Sequence, residues 1–374
     1  MKIGILTFHQ ALNCGAALQA WALKTFLERN GHEVGFIHNH VGKESRWYPV
    51  PKTSSALRLM KRMALSAMKN ICSFQCRDLA IERFGAFQRN FLPEVPMESC
   101  DIIVVGSDQV WRKSLTGDET SLFLGESISA DIPLIAYAAS FGDYAFAVSN
   151  AKSVSKSICR YCAVSVREQF AKDSLAELVK QDIAVVADPT LLLEHSDYAS
   201  IGAKVDVGRP FLFAYAVHAT PFFVETAKMM AKKLGLALVM TATCQHTRWG
   251  APAGLTYGVS PDRMVGYIRD AQCVVASSFH GTAVSLLHGK PFVCLREDGP
   301  QATKSRPAAF LASVGELRRI VTPQTPVEDI VLALETPPSS DSVSKLAGLR
   351  AFSSKWLTDA ISAAFPSDYR RGKD

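Results

Sequence analysis

Short runs of branched apolar residues recur along the chain. Each is followed by a small polar turn and then by a segment of helical period. Ile102-Ile103-Val104-Val105 and Cys273-Val274-Val275-Ala276 are apolar throughout, as strands buried on both faces of a parallel sheet are. The same pattern predicts strands near Ile3–Phe8, Glu33–Asn39, Asp101–Val105, Leu134–Ala139, Ala163–Arg167 and Ile183–Ala187 in a first half. In a second half it predicts them near Phe211–Val217, Leu236–Thr241, Cys273–Ala276, Phe292–Arg296 and Arg319–Thr322. Helices fall between them. Ala16–Arg29 carries Ala16, Ala20, Leu23 and Leu27 on one face, and Phe222–Leu234 closes at Gly235. Strands alternating with helices predict parallel sheets.

A chain of 374 residues is too long for one ordinary core. The expected class is α/β, with two Rossmann-like domains facing across a cleft. The first covers 1–195 and the second 205–335. They join through the polar stretch Glu194–Pro210, which holds Gly202, Gly208 and Pro210. Pro337–Ser342 reads as a Pro/Ser linker. The helical segment 347–365 then crosses back to complete the first domain.

Chemistry concentrates at two strand ends, where ligands of open α/β sheets bind. After Val105 comes Gly106-Ser107-Asp108-Gln109-Val110-Trp111. After Ala276 comes Ser277-Ser278-Phe279-His280-Gly281, then a helical run from Thr282 to Leu287 that Gly289 ends. His280 is thereby placed on a strand-to-helix turn. The competing reading is a histidine that only caps or packs. Asn13 and Gly15 occupy the first strand–helix turn and face the same edge.

At this point the chain resembles a known family. Gly106–Trp111, the run Ala136-Tyr137-Ala138-Ala139-Ser140-Phe141-Gly142, Ser165-Val166-Arg167-Glu168, Asp188-Pro189-Thr190 and Ser277–Gly281 stand in the order seen in polysaccharide pyruvyl transferases. The opening, from Thr7 through Asn13-Cys14-Gly15 to Ala20, is similar to that family's start. The resemblance spans roughly residues 1–315. It implies a GT-B-like fold. It also implies transfer of the enolpyruvyl carbons of phosphoenolpyruvate to sugar hydroxyls, leaving a pyruvate ketal, in cell-surface or exopolysaccharide synthesis. Phosphoenolpyruvate is then the donor substrate and no cofactor is expected. The acceptor is a sugar or a lipid-linked oligosaccharide.

Such a donor carries a carboxylate and a phosphate, so its site needs cations and backbone donors. Arg167, at a predicted strand end, can bond either group bidentately; its plain alternative is pairing with Glu168. The N–H groups of Phe279 and His280 open a helix and suit the same anion, with Ser278 and Gly281 beside them. His280 suits the acid that protonates the methylene carbon, since a neighbouring phosphate favours the imidazolium. Other members of the family carry an arginine at the position of Ser278, which removes one anion contact here. Lys304 and Arg306, in the loop Asp298–Pro307, are the compensating candidates or a solvated basic loop. Asp108 is the candidate to orient or deprotonate an acceptor hydroxyl, or else a turn-capping residue. Ser107, Gln109 and Asn13 line the acceptor side, and Trp111 is placed either to stack on a sugar or to fill core. Asp188-Pro189-Thr190 reads as a turn fixing the domain junction.

Composition narrows the class. Hydrophobic residues make up 48% and charged residues 20% of the chain, a globular balance. No apolar run reaches transmembrane length, and the opening strand is not a secretory signal. Nine cysteines without a regular framework predict reduced thiols in a cytoplasm, and the Cys159/Cys162 and Cys72/Cys76 pairs read as structural. His9, His218 and His246 have no metal-ligand spacing, and no metal is expected. No P-loop or GxGxxG is present. The net charge of +6 does not single out nucleic acid. Residues 45–77 hold seven basic and no acidic residues. Over 52–77 they form either a peripheral contact with the inner membrane face or a helix with a solvated basic side. Two other functions fit the same fold: a GT-B glycosyltransferase using a nucleotide sugar, and a non-catalytic binding protein of polysaccharide assembly.

Overall fold

A computed structural model describes residues 1–41, 79–216, 219–242, 256, 258–297 and 305–365. The basic stretch 45–77, Lys304, His218, His246, Cys72 and Cys76 lie outside the described residues. Two fully parallel sheets form the frame. The first holds β1 (Lys2–Leu6), β2 (Glu33–Ile37), β3 (Glu94–Val95), β4 (Ile102–Val105), β5 (Leu134–Ala139), β6 (Ala163–Val166) and β7 (Ile183–Val185), in the order β3-β2-β1-β4-β5-β6-β7. The second holds β8 (Phe211–Ala216), β9 (Ala237–Ala242), β10 (Cys273–Ala276), β11 (Phe292–Leu295) and β12 (Ile320–Val321), in the order β12-β11-β10-β8-β9.

The uniformly apolar runs are the central strands. All four residues of β4, a central strand paired with β1 and β5, are buried, as in a parallel sheet covered on both faces. All four of β10 are likewise buried between β8 and β11. β3 was not expected. Its two residues carry no strand pattern, and they are strand only because Phe36 and Ile37 pair with Glu94 and Val95.

In each sheet the strand order reverses at one place. In the first it reverses between β1 and β4, and in the second between β8 and β10. A reversal leaves a crevice at the carboxyl ends of the two strands. Gly106–Trp111 leaves β4 at one crevice, and Ser277–Gly281 leaves β10 at the other.

The C-terminal helix runs Ser340–Ala364, seven residues earlier than the 347 start expected from sequence. The Pro/Ser stretch is therefore helix from Ser340 onward. Its start is fixed from outside. The Ser339 side chain accepts the Ser342 N–H at 3.1 Å, while Glu316 accepts the Ser339 N–H at 2.8 Å and the Ser342 hydroxyl at 2.9 Å. Farther along, the helix does return to the first domain. Ser353 Oγ accepts the Ala187 N–H at 2.8 Å, and Arg350 donates to the Leu191 carbonyl at 2.9 Å. Trp356 packs on Tyr137 of β5. Among the described residues no helix is long and apolar enough to cross a membrane.

Glu316 is fully buried beside Arg319, which donates to it at 2.8 Å and also to the carbonyls of Phe292, Ala333 and Thr336. Burial alone would raise the Glu316 pKa. The Ser339 N–H, the Arg319 charge and the Ser342 hydroxyl outweigh it and bring the carboxyl to about 2. A lowered carboxyl pKa stabilises the fold above the ordinary value of 4.5, and that stability is lost as pH falls towards 2. Glu316→Gln should cost about 3 kcal/mol at pH 7, since it strands a buried arginine. It should also flatten the loss of stability between pH 4.5 and 2. Urea unfolding at pH 7, 4 and 3 reads both effects.

Candidate functional site

The turn after β4 depends on one glycine. Gly106 has φ +117°, and a Cβ there would lie 2.2 Å from the Tyr137 carbonyl oxygen. Asp108 follows at φ +72°, a region that Asp tolerates better than most residues. Its carbonyl accepts the Ser140 N–H at 3.0 Å, which ties the turn to the end of β5. The Asp108 carboxylate then faces the end of β6, where Arg167 and Glu168 stand.

Arg167 is the hub. Its side chain is 3% exposed. Nε donates to Glu168 Oε1 at 2.9 Å, and Nη1 donates to Asp188 Oδ2 at 2.6 Å. Nη2 lies 3.8 Å from Asp108 Oδ1 and makes no hydrogen bond. The guanidinium sits 4.6 Å above the Phe279 ring, a contact across the two domains. Burial would lower the Arg167 pKa, but the charges of Glu168, Asp188 and Asp108 raise it above its ordinary value.

Asp188, just past the end of β7, is fully enclosed. Oδ1 accepts the Thr190 N–H at 3.0 Å and the Thr190 hydroxyl at 2.7 Å. Oδ2 accepts from Arg167 and from the Ser107 hydroxyl at 3.2 Å. His280 Nε2 of the second domain stands 3.4 Å from the same oxygen, without the alignment of a hydrogen bond. Burial would raise the Asp188 pKa. The charges of His280 and Arg167 and the Thr190 N–H reverse this and hold it well below the usual carboxylate range.

The second domain also supplies Arg306, the first residue of helix Arg306–Ser313. Its Nη1 reaches Asp108 Oδ1 at 3.5 Å across the domain seam. Burial and the nearby Arg167 charge lower its pKa, against the opposing pull of Asp108. The cluster thus sets the carboxylates Asp108, Glu168 and Asp188 around the guanidiniums Arg167 and Arg306, with His280 at its edge.

Of the residues expected from sequence, Asp108, Arg167, Phe279, His280 and Arg306 meet in this cluster. Arg167 departs from its expected role as an open anion binder, because two of its three nitrogens already hold carboxylates. Trp111 offers no face to a sugar. It is buried in the first-domain core against Phe141, 5.6 Å between ring centres. Ser107 is likewise fully buried and bonds inward, to the Ala138 carbonyl as well as to Asp188. Ser278 caps helix Phe279–Leu287 by accepting the Gly281 N–H at 2.9 Å, so that N–H is already spent. Gln109 Oε1 accepts from Arg112 at 2.9 Å beside the Gly142 turn. Asn13 caps the first helix through the N–H groups of Gly15 and Ala16. Sequence reasoning treated Asp188 as architecture and passed over Glu168 as a partner only. Both follow a predicted strand directly, the position that singled out Asp108, and that rule would have found them. Among the described residues no group of three or more His, Cys, Asp or Glu side chains is arranged to hold a metal ion.

Gly15 sets how closely the domains approach. A Cβ there would lie 2.0 Å from His280 Nδ1 and 2.5 Å from its Cγ. Gly15→Ala should therefore destabilise by about 1–3 kcal/mol through overpacking. An isolated helix would show the reverse, since alanine is the better helix former. Thermal unfolding gives the sign, and a shifted imidazole resonance for His280 would locate the strain.

A family model described as polysaccharide pyruvyl transferase matches residues 13–299. Comparison with curated proteins finds no match. Among solved structures, a protein described as a UDP-N-acetylglucosamine 2-epimerase from Listeria monocytogenes superposes with a TM-score of 0.50 at 12% identity, covering 97% of this chain and 96% of that one. Another UDP-N-acetylglucosamine 2-epimerase gives 0.50 at 11% identity, covering 100% of this chain and 97% of that one. A spinosyn rhamnosyltransferase aligns over 97% of this chain and 96% of its own, at 12% identity and a TM-score of 0.38. The fold is the GT-B-like pairing of two Rossmann-like domains.

Proposed function

The chain belongs to the polysaccharide pyruvyl transferase family, and we propose that it moves the enolpyruvyl carbons of phosphoenolpyruvate onto two hydroxyls of a sugar, closing a pyruvate ketal. The observation that carries this reading is the span of the family match. It contains the turns that bring Asp108, Arg167, Asp188 and His280 together; Arg306 lies just beyond it. The acceptor is a sugar of a cell-surface or exopolysaccharide repeat, free or carried on a lipid at the cytoplasmic face.

The chemistry begins with a proton placed on the methylene carbon, which leaves positive charge on the neighbouring carbon. A first hydroxyl attacks that carbon and gives up its proton. Phosphate then leaves, and a second hydroxyl closes the ketal and gives up its own. His280 is the acid of the first step. The Asp188 carboxylate, 3.4 Å from Nε2, orients the ring for that step. The last hydroxyl proton restores the acid. Asp108 takes the proton of the first hydroxyl, and the departing phosphate carries it away. Arg167 Nη2 and Arg306 supply the positive charge the donor needs.

Phosphoenolpyruvate should raise the melting temperature, and pyruvate should raise it much less, because pyruvate lacks the phosphate. Equal shifts from both, or a shift from nucleotide sugars alone, would reject this donor. The nucleotide-sugar arm covers the glycosyltransferase alternative, and the absence of any shift with any donor would favour a non-catalytic binding protein.

His280→Ala should lower ketal formation by on the order of a hundred- to ten-thousand-fold. His280 is nearly buried at the domain seam, so the substitution also removes packing. His280→Gln keeps most of the volume without the acid and should be equally inactive while melting closer to the parent. Near-normal turnover in the glutamine variant would remove His280 from the mechanism.

A further inference from the structure

The carboxylates around Arg167 are not equivalent. Asp188 and Glu168 bond it at 2.6 and 2.9 Å and are sealed from solvent. Asp108 stands off at 3.8 Å from Nη2 and makes no hydrogen bond to that guanidinium. The same Asp108 oxygen is reached by Arg306 from the opposite domain, again at a long 3.5 Å. Asp108 and Arg306 are also the most open members of the cluster, with side chains 12% and 23% exposed. Two guanidiniums of different domains therefore converge on one oxygen without either closing tightly on it. Arg167 Nη2 is left as a buried donor with no acceptor, a state that costs on the order of 1–3 kcal/mol and that proteins rarely retain without use.

We propose that Asp108 is a displaceable placeholder in an oxyanion seat formed by Arg167 Nη2 and Arg306 Nη1. A phosphate or carboxylate group of the donor enters this seat and turns the Asp108 side chain out towards the acceptor. The inference rests on the donor reading above for the identity of that group. Two like charges brought this close need an anion between them, and the Asp108 carboxylate meets that need when the donor is absent. An oxyanion with several acceptor lone pairs can face both guanidiniums at hydrogen-bond distance, which a single carboxylate oxygen at 3.5 and 3.8 Å does not do. Once it is seated, Asp108 is repelled by it. The Asp108 backbone need not move for this. Its carbonyl is tied to the Ser140 N–H and the residue is bridged to Ala139, so the change is confined to the side chain, which gives up the Gln109 N–H that Oδ1 accepts at 2.9 Å. While two guanidiniums converge on its Oδ1, Asp108 is turned away from an acceptor hydroxyl, whereas a released Asp108 can reach one. The consequence is an order of events in which the donor seats before an acceptor hydroxyl is deprotonated.

The test is calorimetric titration of the whole chain with inorganic phosphate, and separately with pyruvate, at low ionic strength. Asp108→Asn should bind at least one of the two about tenfold more tightly than the parent. The probe that gains identifies which end of the donor takes the seat. Arg306→Gln in the same background should erase the gain. An unaltered or weaker affinity for both probes in a folded Asp108→Asn protein would overturn the proposal, as would a gain that survives Arg306→Gln. A purely structural role for Asp108 predicts weaker binding, the opposite sign. If Asp108→Asn does not fold, Arg306→Gln alone decides: it must weaken phosphate or pyruvate binding, and unchanged binding of both overturns the proposal. Neither titration needs turnover. A gain in Asp108→Asn with no pyruvyl transfer by the parent chain would leave the seat standing and reject the donor reading, and transfer by the parent without a gain in the variant would reject the seat alone.

Discussion

A single buried guanidinium organises this protein. Arg167 collects the ends of β4, β6 and β7 through Asp108, Glu168 and Asp188, and it touches the second domain through the Phe279 ring. A lone arginine in that position would be ruinous to stability, because moving an isolated charge out of water costs several kcal/mol even after relaxation. The surrounding carboxylates are therefore a condition of the fold as well as a feature of the site. Their own burial is offset by Arg167, Thr190, Ser107 and Ser140, which bond every carboxylate oxygen of Asp188 and Oε1 of Glu168 and leave Glu168 Oε2 without a partner. Remove one member and the others become unpaired charges in a low dielectric.

The relative placement of the domains follows from the same economy of space and charge. Gly15 lets the first helix press against His280, and the Arg306–Asp108 and His280–Asp188 pairs bridge the seam beside it. The Glu316–Arg319 pair plays a matching part through the C-terminal helix. It anchors the start of the C-terminal helix on the second domain, and Arg350 and Ser353 fasten the same helix to the first. The chain thus crosses the seam at 185–211 and again through this helix. Such double crossing restricts how far the domains can part.

How much of this was legible beforehand can be argued residue by residue. β4 and β10 were plain, because a strand covered on both faces has to be apolar throughout. The turns after them were plain too, since glycine and short polar residues at a strand end have few other uses. Asp188 was underrated: its Asp-Pro-Thr context looks like a turn, and nothing local says that an arginine and a histidine converge on it from elsewhere. Trp111 was left between core and ligand because an aromatic after a turn can serve either, and the choice is made by Phe141, thirty residues on. β3 and the early start of the C-terminal helix were missed for a related reason. Each depends on a partner distant in sequence, Phe36–Ile37 in one case and Glu316 in the other.

Apart from the acid and anion-binding roles, which the family resemblance implied, the local pattern by itself determined the class of fold, the order of strands and helices and the two chemically dense turns. These are properties of short windows, where side-chain period and backbone preference suffice. The tertiary structure decided which charges meet. Whether Arg167 is an open anion receptor or a neutralised hub depends on carboxylates from positions 108, 168 and 188 and on an arginine at 306. Only the parallel stacking of strands and the closing of one domain on the other bring those positions within 4 Å. Coulomb energy depends on separation and on surrounding dielectric, and neither quantity is written in any local stretch of sequence.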